Sequence, residues 1–428
     1  MERFDAIVVG AGPAGASAAY HLARAGLSVV VVERGRSAGS KNVSGGLLYS
    51  GPVEGLWPEF LDGAPVERKI GSDHLVMLGD RRSVAVEYRG DEQGKTGAAY
   101  SVLRAQFDPW LARRAEDAGA IVITGVTVDA LLVEGTRVLG VKAGPDELGA
   151  DVVIVAEGTR SLLLQGAGLQ PAFDPHEVAL GVKEVIGLPA EVIDERFQCA
   201  PGIGAAYTML GHTGGIEGGG FLYTNRESVS LGVVVKIDSL ARGGLQPHQV
   251  LDEFKAHPLV ARLIDGGTVL EYSAQTVHRG RYRPSAKRYG DGYLVAGSAG
   301  QLLLNNVLTL RGMDFAAVSG IVASQAVVEA HRRGRYDEAS LSSYEKALRQ
   351  TSVFNDWRTF KGAFSLMDNE RLFRVYPELA CSVLGQMLSA GAAPGSKALA
   401  AARKEMRGKV GLVRAGRDLL QAARGLVL

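Results

Sequence analysis

The chain is poor in cysteine, proline and aromatic residues: two cysteines, 15 prolines and 7% aromatics among 428 residues. Cys199 and Cys381 stand far apart, which excludes a disulfide framework and an iron–sulfur cluster ligated by this chain's own thiols. The histidines never fall in an HxxxH pair, so no histidine metal pattern is present. A spanning helix needs a run of about 18 or more apolar residues. None is found, because the least charged stretches, residues 293–310 and 379–396, are diluted by Ser, Asn, Gln and Gly. Charge of one sign is lacking too. Lys and Arg total 47 against 46 Asp and Glu, a net charge of +1, which excludes a general nucleic-acid binder. The opening residues MERFDAIVVG already read as a strand, so no signal peptide is expected. These features predict a cytoplasmic protein, soluble or peripheral on the cytoplasmic membrane face.

Glycine, by contrast, is abundant, with 56 residues. With few prolines and no low-complexity tract, that points to tight turns and close approaches of backbone to ligand. The first such place is near the start. Residues 4–9 are an apolar run of strand length that enters Gly10-Ala11-Gly12-Pro13-Ala14-Gly15. An Ala-rich helical segment follows to Gly26, and a second apolar run, 27–32, ends at Glu33. This is a βαβ unit with GxGxxG at its first turn. Gly10 permits the tight turn, Gly12 lets backbone approach a pyrophosphate, and Gly15 lets helix and strand pack closely. The helix N-terminus offers N–H groups to phosphate, and Glu33 offers a carboxylate to ribose hydroxyls.

The motif alone does not separate NAD from FAD. Two later turns do. Residues 150–156, ADVVIVA, lead into Glu157-Gly158-Thr159-Arg160-Ser161. Residues 291–296, DGYLVA, lead into Gly297-Ser298-Ala299-Gly300, and Arg311-Gly312-Met313-Asp314 then opens a helix to about Arg332. Three dinucleotide-contacting turns spread over this length fit an extended cofactor. The arrangement resembles the flavoprotein hydroxylase and glutathione-reductase superfamily, and the resemblance implies FAD. A helix N-terminus near Gly312 would favour negative charge on a reduced flavin.

More specific strings narrow the family. They are Gly39-Ser40-Lys41-Asn42 leading to Ser44-Gly45-Gly46; Leu103-Arg104-Ala105-Gln106-Phe107-Asp108; Gly181-Val182-Lys183-Glu184-Val185-Ile186; Gly219-Gly220-Phe221-Leu222-Tyr223-Thr224-Asn225; Phe254-Lys255-Ala256-His257-Pro258; and Glu271-Tyr272-Ser273-Ala274. In this order, over nearly the whole chain, the series resembles the FixC-type branch of the electron-transfer flavoprotein–quinone oxidoreductases. The resemblance implies an FAD protein that takes electrons from an electron-transfer flavoprotein alpha/beta heterodimer and reduces a membrane quinone, ubiquinone or menaquinone. It also implies a small ferredoxin-like subunit carrying the iron–sulfur cluster that this chain cannot hold, within a complex that splits electrons between quinone and ferredoxin or flavodoxin.

The expected cofactor contacts are Gly10, Gly12, Ala14, Gly15, Glu33, Arg34, Arg104, Gly158, Gly297, Ser298, Gly312 and Met313. Asn42 and Gly45 join them near the isoalloxazine by resemblance only. Arg104 opens a helical segment, where it serves a phosphate or flavin edge, or pairs with Asp108 one turn on. Ser298 stands where bacterial relatives generally carry Asp. The string QTVHRGRYR, residues 275–283, is more basic than the family pattern; His278, Arg279, Arg281 and Arg283 either act on the flavin potential or form a solvated surface. Electron transfer needs no nucleophile, and no catalytic residue is assigned. Cys199 reads as a small buried residue or, alternatively, a redox thiol.

The tail from residue 397 carries eight basic residues (Lys397, Arg403, Lys404, Arg407, Lys409, Arg414, Arg417, Arg424) and two acidic ones, Glu405 and Asp418, for +6 against −5 in the remainder. Leu399, Met406, Val410, Val413, Leu419, Leu420 and Leu426 lie between them. Such a basic amphipathic segment suits an anionic membrane surface, an acidic partner or plain solvent. The fold expected is α/β: a discontinuous Rossmann-like FAD-binding domain of the glutathione-reductase/flavoprotein-hydroxylase type (1–75, 98–172 and 276–335), an inserted mainly β substrate domain (76–97 and 173–275), and a C-terminal helical region (336–428). Besides the quinone reductase, two other functions fit: a stand-alone reductase or monooxygenase acting on a small lipophilic substrate, and a non-catalytic flavin-binding subunit.

Overall fold

A computed structural model describes residues 2–41, 46–90, 98–388, 397–406 and 410–426. The first strand, Glu2–Val9, lies inside a mainly parallel sheet between Asp146–Val155 and Val29–Glu33, with Tyr293–Val295 and Ile121–Thr124 further out. Central parallel strands are covered on both faces, and the sequence obeys that demand with unbroken Val and Ile runs. Ala6, Val8, Val29, Val31, Val152 and Ile154 pack under the helices Pro13–Arg24, Arg104–Asp117 and Met313–Arg333. Ile7, Val9, Val30, Val32, Val153 and Val155 pack on the other side, with Leu131, Val138 and Val141 of a β-hairpin and Leu163 and Leu164.

The second sheet is larger and mostly antiparallel. Its strands run in the order Thr268–His278, Val178–Gly187, Ser228–Lys236, Gly218–Thr224, Ile203–Leu210, Val66–Leu78, Ala99–Val102 and Gly46–Tyr49. Ile203–Leu210 and Val66–Leu78 pair in parallel. One face carries Val182, Leu222, Leu231 and Val233 against Val250, Phe254 and Val260 of the helices Pro247–Ala256 and Pro258–Ile264. A Cβ on Gly220 would lie 2.0 Å from the Phe254 ring, so the glycine is what lets that helix settle. The opposite face looks toward the first sheet. Gly46–Tyr49, Ala99–Val102 and the first part of Val66–Leu78 belong to this sheet, although the sequence groups residues up to 75 and from 98 with the nucleotide unit.

In the basic string at 275–283, Gln275, Thr276 and Val277 face the space between the two sheets, His278 and Arg279 are buried, and Arg281 keeps about half of its side chain exposed. Its arginines are consumed by partners from distant segments. Arg281 donates to Glu177 at 2.5 Å, and Arg283 pairs with the same carboxylate. Arg279, 4% exposed, donates to Asp368 at 2.8 Å and to the Met367 carbonyl. His278 is buried, and burial pulls its pKa down to about 4. The Arg279 bonds fasten the C-terminal region to the second sheet, and the Glu177 bonds tie the end of the string to the entry of Val178–Gly187. Cys199 is half-buried and Cys381 buried; neither is in a disulfide, and burial pushes both thiol pKa values up, away from reactive thiolate.

Met313–Arg333 is the one described helix long and apolar enough to cross a bilayer, but 78% of its apolar window is buried inside the protein. It crosses Pro13–Arg24 at very short range. A Cβ on Gly320 would lie 2.1 Å from the Ala14 carbonyl oxygen, so no side chain fits there. Gly320→Ala is expected to force the two helices apart and lower stability by about 1–3 kcal/mol, the usual cost of overpacking; urea unfolding measures it.

Candidate cofactor and substrate site

The ends of the parallel strands build a cavity of about 530 Å³ between the two sheets. At its floor the first strand turns into Pro13–Arg24. Gly10 has φ +100°, and a Cβ there would lie 2.5 Å from the Ala156 carbonyl oxygen. A Cβ on Gly15 would lie 1.8 Å from the Gly10 carbonyl oxygen. Only glycine permits this turn. Gly12 caps the helix in an extended conformation, and no side chain bonds to the helix end. First-turn N–H groups have no partner within a helix. Gly12, Pro13 and Ala14 line the cavity, so those groups serve whatever fills it.

Glu33 ends the second strand, buried, with its carboxylate already engaged. One oxygen accepts from the Ala11 N–H at 2.9 Å and the other from the Gly35 N–H at 2.7 Å. The acid therefore braces the glycine loop as well as facing the cavity. Arg34 lies beside it. Across the floor, Gly158 has φ +84°, and Glu157 accepts from the Leu163 and Leu164 N–H groups at 3.1 and 3.3 Å. Burial pushes the Glu157 pKa up in spite of those bonds.

The third turn is pinned by a residue that the sequence did not single out. Ser319 Oγ accepts from the Gly297 N–H at 2.8 Å and donates to the Ala316 carbonyl at 2.8 Å. This locks Gly297, at φ +65°, onto the late helix. Ser298 follows in the cavity wall, as do Gly312 and Met313 where that helix begins, again without a side-chain cap. Arg104 grips Asp108 through two bonds of 3.0 and 2.5 Å, while its guanidinium lies against the glycine loop, 3.6 Å from where a Gly12 Cβ would be. The ion-pair and cavity readings of Arg104 thus hold together.

Of the expected contacts, the structure brings Gly10, Gly12, Ala14, Glu33, Arg34, Arg104, Gly158, Gly297, Ser298, Gly312 and Met313 to one cavity. Gly15 lies just beneath it, as packing. Asn42 and Gly45 fall outside the described residues. The wall also includes Lys41, Val126–Asp129 after the strand Ile121–Thr124, and Phe221, Tyr223 and Gln275 of the second sheet. Lys41, Phe221, Tyr223 and Gln275 fall in strings that the sequence marked without giving these residues a role, and Val126–Asp129 carry no local signal; strand order and register bring them together. A smaller cavity of about 100 Å³ shares Phe221, Tyr223, Val234 and Leu310 with the first and continues past Ala179, Gly219, Thr208 and Leu308 to Lys236 and Arg279.

Two uncapped helix N-termini, a turn that only glycine permits at Gly10 and Gly15, and a cavity of about 530 Å³ lined by all three turns fit a dinucleotide with an anionic centre. Fold and site define an FAD-dependent oxidoreductase. A model of FAD-dependent oxidoreductases matches residues 5–77, and one described as ETF-QO, ubiquinone-binding, matches residues 178–277. The chain is 42% identical over 430 residues to the probable electron transfer flavoprotein-quinone oxidoreductase YdiS of Escherichia coli K12, covering 99% of both chains. It is 42% identical to protein FixC of the same strain, covering 91% of this chain and 92% of that one, and 39% identical to FixC of Bradyrhizobium diazoefficiens, covering 92% of both. The chain belongs to the electron transfer flavoprotein–quinone oxidoreductase family, in its FixC branch. Among solved structures it resembles a geranylgeranyl bacteriochlorophyll reductase-like protein of Thermoplasma acidophilum (TM-score 0.72, 20% identity, 98% of this chain and 100% of that one) and the myxobacterial halogenase CndH (TM-score 0.67, 19% identity, 86% and 83%). At such identities the likeness is one of fold.

FAD supplies the redox chemistry of this family. The residues lining the larger cavity are those placed to hold it. Because Glu33 braces Ala11 and Gly35 by charge-assisted bonds, Glu33→Gln is expected to loosen the loop and weaken FAD binding about tenfold. Flavin fluorescence titration of the apoprotein measures the change.

Proposed function

We propose that this chain accepts electrons from an electron-transfer flavoprotein heterodimer onto its FAD and passes them to a membrane quinone seated in the smaller cavity. One observation carries this reading. The smaller cavity lies against the larger one across the shared wall of Phe221, Tyr223, Val234 and Leu310, and its strands lie in the segment matched by the ubiquinone-binding model. A planar apolar ring there would lie beside the flavin, with the cations Lys236 and Arg279 at the far end as donors to its carbonyl oxygens. Lys236 is held by Glu217 at 2.8 Å and Arg279 by Asp368, so both donors are fixed before a ligand arrives. The contacts to FAD are those expected from the sequence, with Gly15 supporting from below. On the resemblance to FixC-type assemblies, a small ferredoxin-like subunit holds the iron–sulfur cluster, and the complex divides electrons between quinone and ferredoxin or flavodoxin.

The tail supports a seat on the cytoplasmic membrane face. The helix Leu412–Leu426 is tied to the body by Asp418, which accepts from Arg371 at 2.7 Å. Its outward side shows Val413, Leu419 and Leu420 among Arg414, Arg417 and Arg424, and nearby Leu384, Met387 and Leu388 are also exposed. Apolar groups set among cations suit an anionic bilayer surface.

Three measurements test these proposals. Leu308, exposed at the mouth of the smaller cavity, can be enlarged without disturbing the core. Leu308→Trp is expected to raise KM for a soluble quinone severalfold with the bound flavin spectrum unchanged; an unchanged KM places the quinone elsewhere. Rapid direct oxidation of NAD(P)H by the isolated chain, without an electron-transfer flavoprotein, would favour the stand-alone reductase. Reversing Arg414, Arg417 and Arg424 to Glu is expected to abolish co-sedimentation with vesicles containing anionic phospholipid and to leave neutral vesicles unaffected.

A further inference from the structure

A quinone becomes a quinol by taking up two electrons and two protons, so its seat needs a supply of protons as well as of electrons. The far end of the smaller cavity is lined by Lys236, Arg279 and Met367. Lys236 stands on the cavity side of its strand. It lies two residues beyond Val234, which lines both cavities, and opposite Ala179, which lines the smaller one, while Val233 and Val235 point into the helix-covered core. Arginine does not release its proton, whereas a lysine ammonium can. Of these three residues, Lys236 alone can hand a proton to a bound oxygen.

Two carboxylates approach its ammonium group. Glu217 accepts from it at 2.8 Å and, through its other oxygen, from Arg242 at 3.1 Å. That branch ends on a guanidinium, and no proton enters through it. Asp368 Oδ1 lies 3.8 Å from Lys236 Nζ, an ion-pair distance. The same oxygen accepts from Arg279 at 2.8 Å and lies 3.2 Å from His176 Nε2. This second branch ends on an imidazole whose side chain is 43% exposed. Histidine is the side chain suited to exchanging protons with water near neutral pH. The backbone of His176 is held on both sides, its N–H donating to Asp174 at 2.9 Å and its carbonyl accepting from Arg279 at 2.6 Å. Around the ring stand Asp238, 3.7 Å from Nδ1 and itself paired with Arg242, and the edge-on ring of Phe364. The neighbouring Glu177 is engaged by Arg281 and Arg283.

We propose that His176 is the solvent end of a proton path that runs through Asp368 to Lys236 and the far oxygen of the quinone. This rests on the quinone occupying the smaller cavity. Two electrons and one proton come from the reduced, anionic cofactor, and the second proton comes from water. As charge builds on the far oxygen, an O–H bond forms there and an N–H bond of Lys236 breaks. An amine is a stronger base than an imidazole, so Lys236 recovers its proton from His176 through Asp368, and His176 recovers its own from water. Arg279 keeps the Asp368 carboxylate in place between them.

The test uses FAD-loaded protein reduced with one equivalent of dithionite and mixed by stopped flow with a soluble quinone or with ferricyanide, which takes electrons and no protons. His176→Gln is expected to lower the limiting rate with quinone by about tenfold or more, as loss of a proton donor does. The half-saturating quinone concentration and the rate with ferricyanide should stay at the parent values. Imidazole added to the buffer should restore most of the lost rate, because the vacated position is open to solvent. Asp368→Asn should lower the same rate and not respond to imidazole; if it fails to fold, His176→Gln decides alone. A His176→Gln protein at the parent rate, a loss shared with ferricyanide, a loss that imidazole does not restore, or an Asp368→Asn protein at the parent rate overturns the path. A reduced parent that ferricyanide oxidises and quinone does not overturns the quinone reading itself.

Discussion

The whole site depends on the closeness with which three backbone segments can meet. Gly10 faces the Ala156 carbonyl, Gly15 faces the Gly10 carbonyl, and Gly320 faces the Ala14 carbonyl, each at a distance that excludes even a methyl group. These contacts draw the two helices Pro13–Arg24 and Met313–Arg333 against each other and against the strand ends. Both helices then present uncapped N-termini to the same cavity. Backbone N–H groups fixed by packing thus add positive potential to the site, beside the side-chain charge of Arg34, Lys41, Arg104 and Arg160.

Around that floor the second sheet supplies function through alternation. One set of residues holds helices, and the other lines the cavities. The same strands continue past the larger cavity to form the smaller one, so the two cavities share side chains. Phe221 and Tyr223, stacked with ring centroids 5.1 Å apart, stand at this shared wall. The ion pairs at the far end reach into the C-terminal helices through Asp368. The surface that faces the membrane in our reading is thereby mechanically joined to the quinone end of the cavity.

The local part of the site was legible in the sequence. A glycine turn between two apolar runs has few other uses, and the later glycine turns after Val- and Leu-rich strands follow the same logic. The resemblance to the FixC branch, carried by strings such as GVKEVI and GGFLYTN, agrees with the relatives found. What the sequence did not disclose depends on partners far away along the chain. Glu33 was read as a ribose acceptor, but its bonds to Ala11 and Gly35 exist only once the loop has closed. The arginines at 279, 281 and 283 looked like a flavin-tuning or solvated group, because Glu177 and Asp368 come to them only through tertiary folding. Ser319 and Gly320 sit in an ordinary helical pattern, and their roles appear only when the first helix packs on them. The sheet to which the strands near residues 46, 66 and 99 belong was likewise a matter of long-range pairing.

The position of the first strand has a consequence for how the protein is made. Glu2–Val9 pairs with Asp146–Val155, which pairs with Tyr293–Val295, and its turn is closed by a helix that ends at Arg333. On a ribosome adding about 5–20 residues per second, the earliest segment waits on the order of 15–60 s for its last neighbours to emerge. Through that interval the first strand has Val29–Glu33 beside it but lacks its other neighbour and the late helix, so the cavity built by all three turns is complete only near the end of translation.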